Sequence, residues 1–101
     1  MIVYNLSIKV DHSIHDEWLR WQNEEFIPSI ITTGHFSDYK FFCLLDLDES
    51  DGFTYVVQFF SRSVEHYNEY IANHASAILQ KAMKKWNNHL LLFGSAMKMV
   101  E

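Results

Sequence analysis

The sequence contains few of the residues that cross-link, break or kink a chain. Its 101 residues include one cysteine, one proline and three glycines. The single cysteine, Cys43, excludes an intrachain disulfide and is typical of a reducing compartment, so we expect a cytoplasmic protein. Because Cys43 falls in a predicted strand, we expect it to be a small hydrophobic residue of the core.

Basic residues and long apolar runs are also scarce. Eight lysines and arginines stand against thirteen aspartates and glutamates, which gives a net charge of −5. Nucleic-acid binding draws its affinity from clustered Lys and Arg, so we expect no nucleic-acid partner. The longest apolar runs, such as residues 90–93, are far below the roughly 18 residues of a membrane span, and the first residues show no export signal. We therefore expect no membrane association.

Apolar and aromatic side chains, in contrast, are abundant and make up 49% and 16% of the residues. Typical domains contain about 45 to 50% apolar residues, so this composition supports a folded core. A chain of 101 residues can bury one such core without disulfides or metals. No linker or low-complexity segment interrupts it, and we predict a single domain over residues 1–101.

Hydrophobic periodicity predicts the order strand, helix, strand, strand, helix, strand. The first helix is expected to begin near Ile14 with a capping box of Ser13 and Asp16, to kink or restart at Pro28 and to end at Gly34. Pro28 causes this interruption because it removes an amide donor and obstructs the preceding turn. The strands are predicted over residues 2–10, 36–47, 53–60 and 89–100.

The second helix is predicted between the third and last strands, with Ser61 or Ser63 as its cap. Its apolar residues recur at spacings of three and four, which is typical of a helix with one buried face. In the last strand, Gly94 is expected to mark a bulge or a close approach of another group. The apolar stripe of the helix consists of Val64, Tyr67, Ile71, Ala75, Ile78, Ala82 and Trp86.

This βαββαβ order predicts the fold class α+β, with a ferredoxin-like four-stranded antiparallel sheet and two helices on one face. Right-handed crossovers place strands one and three in the centre and strand two at an edge. Strand two is apolar on both faces, because Tyr39, Phe41 and Cys43 point one way while Phe42 and Leu44 point the other. Met97 and Met99 flank Lys98 in the same manner in the last strand. We therefore predict a homodimer that forms through the helix-free sheet face.

Three segments of the sequence are distinctive: the opening MIVYN, the stretch WLRWQNEEFIPSIITTGHF, and YVVQFF followed by a helix with Tyr70 and His74. These segments resemble a small bacterial family of unknown function within the dimeric α/β-barrel superfamily. The superfamily comprises ferredoxin-like dimers that include antibiotic-biosynthesis monooxygenases and muconolactone isomerase. The resemblance spans the whole chain and implies this fold and dimer, but no assigned activity. The family pattern has His where Phe26 stands and Arg where Gly94 stands, so chemistry carried by those groups would be lost here.

Three polar residues are candidates for catalysis. His74 lies beside the buried helical stripe and is either a structural histidine or a base in a pocket. Glu25 follows Trp21 by four residues and is either a general acid or base beneath the indoles or a solvated carboxylate. Asn5 alternates away from the apolar residues of strand one, where it would make polar contacts in the dimer interface or contribute to a site.

No metal site and no cofactor are predicted. His12 and His15 lie three residues apart beside Asp11 and Asp16, but no distant third ligand is evident. The other histidines fall at predicted turns or element ends and are expected in solvent: His35, His66 and His89.

The leading functional hypothesis is a pocket between sheet and helices that binds a small apolar or aromatic molecule. Its predicted walls are Trp18, Trp21, Phe26, Tyr70 and His74. A cofactor-independent monooxygenase or isomerase is the alternative that the superfamily resemblance implies, and a structural interaction module is a third. Haem-degrading relatives use an Asn on the first strand with a Trp and a His on the second helix. Asn5 fits the first role, whereas Tyr70 stands near the Trp position and His74 is too close to it.

Overall fold

The computed structural model describes residues 1–100 and contains the predicted order of elements. Two helical runs alternate with the strands, and each run is interrupted by a π-helical turn. The first run, residues 15–31, consists of α1 (His15–Trp21), a π turn (Gln22–Phe26) and α2 (Ile27–Ile31). The second run, residues 64–86, consists of α3 (Val64–Tyr70), a π turn (Ile71–Ala75) and α4 (Ser76–Trp86). The strands are β1 (Ile2–Asp11), β2 (Asp38–Cys43), β3 (Gly52–Ser61) and β4 (Leu90–Lys98).

The strands form one antiparallel sheet in the order β2-β3-β1-β4. This order confirms the predicted α+β fold, with β1 and β3 in the centre and β2 at an edge. Alternate residues of β1 point toward the helices and are buried, as the period of two predicts. The largest fully buried side chains on that side include Leu6, Ile8, Trp18, Phe59 and Tyr70.

A serine caps the second helical run, and an aspartate caps the 3₁₀ turn that precedes the first. The Ser63 hydroxyl accepts a hydrogen bond from the His66 amide at 3.2 Å, so one of the two predicted caps of the second run is confirmed. The predicted capping box of Ser13 and Asp16 is wrong, since the Asp11 carboxylate accepts from the Ser13 amide at 3.3 Å. The chain leaves β1 through a 3₁₀ turn, and this turn moves the start of α1 to His15.

The π turns change which residues of each run are buried. Pro28 has no amide hydrogen and its ring excludes the carbonyl four residues earlier, which accounts for the π turn at Gln22–Phe26. Of the two predicted outcomes, a kink or a restart, the restart is confirmed, because α2 begins at Ile27. No proline accompanies the second π turn. Tyr70 is fully buried, whereas Val64 and Ile71, both predicted on the buried stripe, are 47% and 40% exposed.

The edge strand β2 is shorter than the predicted strand over residues 36–47. Asp46 has a φ of 61°, and this left-handed conformation ends any extended strand. Leu45 and Leu47 therefore lie exposed in the connection to β3. Cys43 is exposed at the end of β2, so the prediction that it belongs to the core is wrong.

Within residues 1–100 no helix has the length and apolar character needed to cross a bilayer.

Two glycines with positive φ allow a direct test of this backbone. A β-carbon at Gly52 would lie 2.1 Å from the Val10 carbonyl oxygen, whereas one at Gly34, where φ is 83°, would meet nothing within 4 Å. We expect Gly34→Ala to lower the free energy of unfolding by about 1 kcal/mol, which is the left-handed penalty alone. Gly52→Ala should cost about 3 kcal/mol or more because the backbone must also move. Urea unfolding followed by circular dichroism measures both, and equal losses would contradict this assignment.

Candidate functional site

A groove between the second helical run and the β4 edge of the sheet has a volume of about 390 Å³. We call it the sheet–helix groove. Its floor comes from β1 and β4, and its wall comes from α3, α4 and the π turn between them. The lining residues are Tyr4, Tyr67, Ile71, Ala75, Ser76, Leu79, Gly94 and Ser95.

Gly94 keeps the floor of the sheet–helix groove open. It pairs with Leu6 across the β1–β4 ladder and so faces the helices. A β-carbon at this position would lie 3.2 Å from Tyr4 Cε1 and 3.2 Å from Leu6 Cδ2. The β1–β4 pairing is continuous from Leu90 to Lys98, so of the two sequence-based alternatives Gly94 marks a close approach and not a bulge.

Tyr4 belongs to the aromatic core and also lines the sheet–helix groove. Its ring centroid lies 5.6 Å from that of Tyr70 and 6.0 Å from those of Phe36 and Tyr67. Burial, together with the neighbouring Tyr67, raises the pKa of Tyr4 to about 12. Its phenol is therefore neutral near pH 7 and available as a hydrogen-bond donor.

Tyr70 and His74 form a second aromatic cluster with His35. The Tyr70 and His74 rings stack with centroids 6.0 Å apart, and the His35 and His74 centroids are 5.2 Å apart. Burial is the main cause that raises the pKa of Tyr70, and its hydroxyl is buried without a hydrogen-bond partner. His35 is mostly buried and its Nε2 lies 3.2 Å from the Glu69 carboxylate, so the prediction that it lies in solvent is wrong.

A smaller cavity of about 210 Å³ lies between the two helical runs. We call it the interhelical cavity. Trp21 and Phe26 form its apolar wall, with ring centroids 5.1 Å apart, and the exposed Glu25 lies at its rim. Glu25 is therefore solvated and not enclosed beneath the indoles, which is the second of its two sequence-based alternatives. The second run contributes Ala77, Ile78 and Lys81.

The predicted wall residues do not converge on one pocket. Trp18 is fully buried and packs against Tyr55 and Phe41, with centroids 5.1 and 6.2 Å away. Trp21 and Phe26 line the interhelical cavity, whereas Tyr70 is part of the core. The sheet–helix groove was not predicted from the sequence. The only sequence signals for it were the alternation of residues in β1 and the glycine in β4.

Asn5 lies on the helix-free face of the sheet. Gln58 Nε2 donates to its Oδ1 at 3.4 Å, and its Nδ2 donates to Ser7 Oγ at 3.5 Å. Tyr70 and His74 belong to the helical layer on the opposite face. Because the sheet separates them, Asn5, Tyr70 and His74 of one chain do not meet around a common site.

The helix-free face carries large apolar side chains that no helix covers. Register places Phe42, Val56, Ser7 and Phe93 in one row across all four strands. Phe93 is 69% exposed, and the other large exposed side chains of the face include Leu91, Phe42 and Met97.

Among residues 1–100, no three His, Cys, Asp or Glu side chains lie together as metal ligands would.

Comparison with solved structures confirms the ferredoxin-like fold. An ethyl tert-butyl ether d (ethd) family protein from Bacillus halodurans is 14% identical, with a TM-score of 0.69 over 98% of this chain and 100% of that chain. An antibiotic biosynthesis monooxygenase is also 14% identical, with a TM-score of 0.68 over 100% of both chains. A dimeric ferredoxin-like protein from an uncultured marine organism is 8% identical, with a TM-score of 0.59 over 99% of this chain and 95% of that chain.

Residues 1–100 match the family described as domain of unknown function DUF4286, and the chain belongs to that family. The match confirms the resemblance to a family without an assigned activity. A comparison with curated proteins found no match. At 8 to 14% identity the solved structures establish the fold and no activity.

The buried phenol of Tyr4 predicts a loss of stability at alkaline pH. A pKa raised from 10.0 to about 12 means that folding favours the protonated phenol. This contribution is complete below pH 10 and is lost as the pH rises toward about 12. We therefore expect Tyr4→Phe to lose less unfolding free energy than wild type over that range in urea titrations.

The exposed Tyr39 supplies the control, because Tyr39→Phe removes a phenol without changing the core. It should retain the wild-type pH dependence. The same alkaline loss in Tyr4→Phe and wild type would show that Tyr4 is not the group responsible.

Proposed function

We propose that the protein is a homodimeric small-molecule-binding domain. The dimer forms through the helix-free sheet face, and each protomer binds a small apolar or aromatic molecule in the sheet–helix groove. The observation that carries the proposal is the pairing of an apolar, open sheet face with a separate groove on the helical side. We expect a cytoplasmic protein that needs no cofactor and no nucleic acid.

Support for the dimer comes from the unpaired apolar surface. Phe42 and Phe93 stand at opposite ends of one row, and Leu91 and Met97 extend the patch along β4. Soluble monomers rarely expose such contiguous apolar surface, and a twofold dimer is the commonest way to bury it. The neighbouring polar row contains Lys40, Gln58, Asn5 and Ser95, whose donors and acceptors would set the alignment of the two copies.

Support for the groove comes from its size and its polar groups. Its volume of about 390 Å³ falls within the roughly 300 to 1,000 Å³ of ligand pockets. Ile71, Ala75 and Leu79 provide apolar contact, while the Tyr4 and Tyr67 phenols supply orientation. The residues of 1–100 that line the groove carry no charge, so the groove favours an uncharged ligand over an anion.

Catalysis by a cofactor-independent monooxygenase or isomerase has less support in this chain. Asn5 is separated by the sheet from Tyr70 and His74, and Glu25 is exposed. No pair of candidate groups therefore offers a base beside a substrate in the groove. The structural interaction module would share the dimer but would lack ligand binding, so the groove experiment below separates it from our proposal.

The dimer is tested by placing a charge on the helix-free face. Phe93→Glu buries two carboxylates in the proposed interface, and we expect it to weaken self-association at least tenfold, about 1.4 kcal/mol. Sedimentation equilibrium reports the change against wild type, which should have twice the 12.0 kDa mass of one chain.

Val64→Glu is the matched control because Val64 is 47% exposed on the helical side of the sheet. It adds the same charge at the first residue of α3, where an acidic side chain is compatible with the helix. We expect it to remain dimeric. A monomeric wild type at micromolar concentration, or equal effects of both variants, would contradict the interface.

The groove is tested by two adjacent exposed residues that line different cavities. Ser76 lines the sheet–helix groove and Ala77 lines the interhelical cavity. With 1-naphthol as the aromatic probe, Ser76→Trp should weaken binding tenfold or more, since the indole fills the groove. Ala77→Trp should bind as wild type does. Fluorescence titration measures both affinities.

Each variant controls for the effect of the other on helix stability, and thermal unfolding should show both to be folded. Loss of binding only in Ala77→Trp would move the ligand to the interhelical cavity. The absence of saturable binding in wild type, together with no ligand retained during purification, would favour the interaction module.

A further inference from the structure

A third cavity, of about 270 Å³, lies where the loop after α2 meets the junction of β3 and α3. Its lining is polar and carries nitrogen-rich side chains from both of these segments. The lining residues are Gly34, His35, Phe36, Ser37, Arg62 and His66. Neither of the cavities described above includes any of these residues.

Arg62 has no carboxylate partner in the described part of the chain. Four ion pairs occur within residues 1–100, and none includes Arg62. Within residues 1–100 Lys9 is the one lysine or arginine that forms an ion pair, so Arg62 differs from the other basic residues by lining a cavity together with two histidines. Its planar guanidinium keeps the two parallel donors that match a phosphate or carboxylate.

The two histidines of this cavity are held by different partners. His66 Nδ1 lies 2.7 Å from Ser63 Oγ, which leaves Nε2 as the ring atom available to a ligand. His35 Nε2 lies 3.2 Å from Glu69, and its Nδ1 is buried without a partner. Glu69 does not line the cavity and the His35 and His66 ring centroids lie 6.4 Å apart, so Arg62 and His66 are the groups that an anion in the cavity would meet.

We propose that this cavity binds a small oxyanion of phosphate size. Arg62 would hold two of its oxygens in the bidentate manner, and His66 Nε2 would donate to a third. Two exposed side chains and a cavity open to solvent give a weak site, with a dissociation constant on the order of 1 mM. The site is separate from the sheet–helix groove, so its test does not depend on the ligand proposed there.

The test is a titration with sodium phosphate at fixed ionic strength, followed by the backbone amide resonances of Gly34, Ser37 and His66. We expect saturable shifts at these amides. Arg62→Gln should weaken binding at least fivefold, and Arg62→Lys should fall between it and wild type because the charge remains while the planar fork is lost.

Arg20→Gln is the matched control, since Arg20 is the other arginine of the chain and lines a different depression beside Glu17 and Glu24. It should bind phosphate as wild type does. Equal weakening by both glutamine variants, or shifts that sodium chloride reproduces, would overturn the site. Acetate producing the same shifts at the same concentration would overturn the assignment to phosphate size.

Glycerol phosphate distinguishes the two sources of the anion. Tighter binding of glycerol phosphate than of inorganic phosphate supports the site and identifies a phosphorylated metabolite as its ligand. Tighter binding of inorganic phosphate supports the site and identifies the free ion. Failure of both anions to bind overturns the proposal while leaving the groove and the dimer interface untouched.

Discussion

Helices cover one face of the sheet and leave the other open, and the remaining features follow from this asymmetry. The central strands β1 and β3 bury alternate side chains against the helices, with Leu6, Ile8 and Phe59 fully enclosed. The intervening residues face the other side, where four strands lie uncovered. Since both central strands pair with a neighbour on each side, the open face extends across all four strands of the sheet.

The same asymmetry separates the two surfaces that can recognise a partner. The helix-free face is broad, apolar and crossed by a polar row, which suits a second copy of the chain. The helical side has narrow gaps where a helical run stops short of a strand or of its neighbour. The π turn at Ile71–Ala75 lies at one such gap, beside the β4 edge. A π turn adds a residue to the helical ladder and is often found at functional sites.

Sequence periodicity was enough to predict the fold, because alternation in β1 and three-four spacing in the second run are strong local signals. Strand order followed from right-handed crossovers. Residue burial was harder to predict where the backbone departs from regular geometry. Ile71 was expected to be buried, but the π turn shifts the register so that Tyr70 is enclosed instead. Cys43 was expected in the core, but it is the last residue of the edge strand β2, which pairs on one side only, and it is exposed there.

The candidate sites were the least predictable part, because each is assembled from residues distant in the chain. The predicted aromatic residues were apolar enough to form a pocket, but most of them fill the space between sheet and helices. Trp18 in α1 packs on Tyr55 in β3, and no local sequence pattern predicts a contact between residues so far apart in the chain. Arg62 was not predicted as a site residue, because the sequence does not show whether an arginine has a carboxylate partner in the tertiary structure.

The central claim, that a second copy covers the helix-free face, is tested most directly by isotope-filtered NOE spectroscopy. A sample mixed from ¹³C-labelled and unlabelled protein reports only contacts between protomers. The account predicts intermolecular signals from the side chains of Phe42, Phe93 and Met97. Intermolecular signals confined to helical side chains such as Val64 and Met83, or none at all at millimolar concentration, would contradict it.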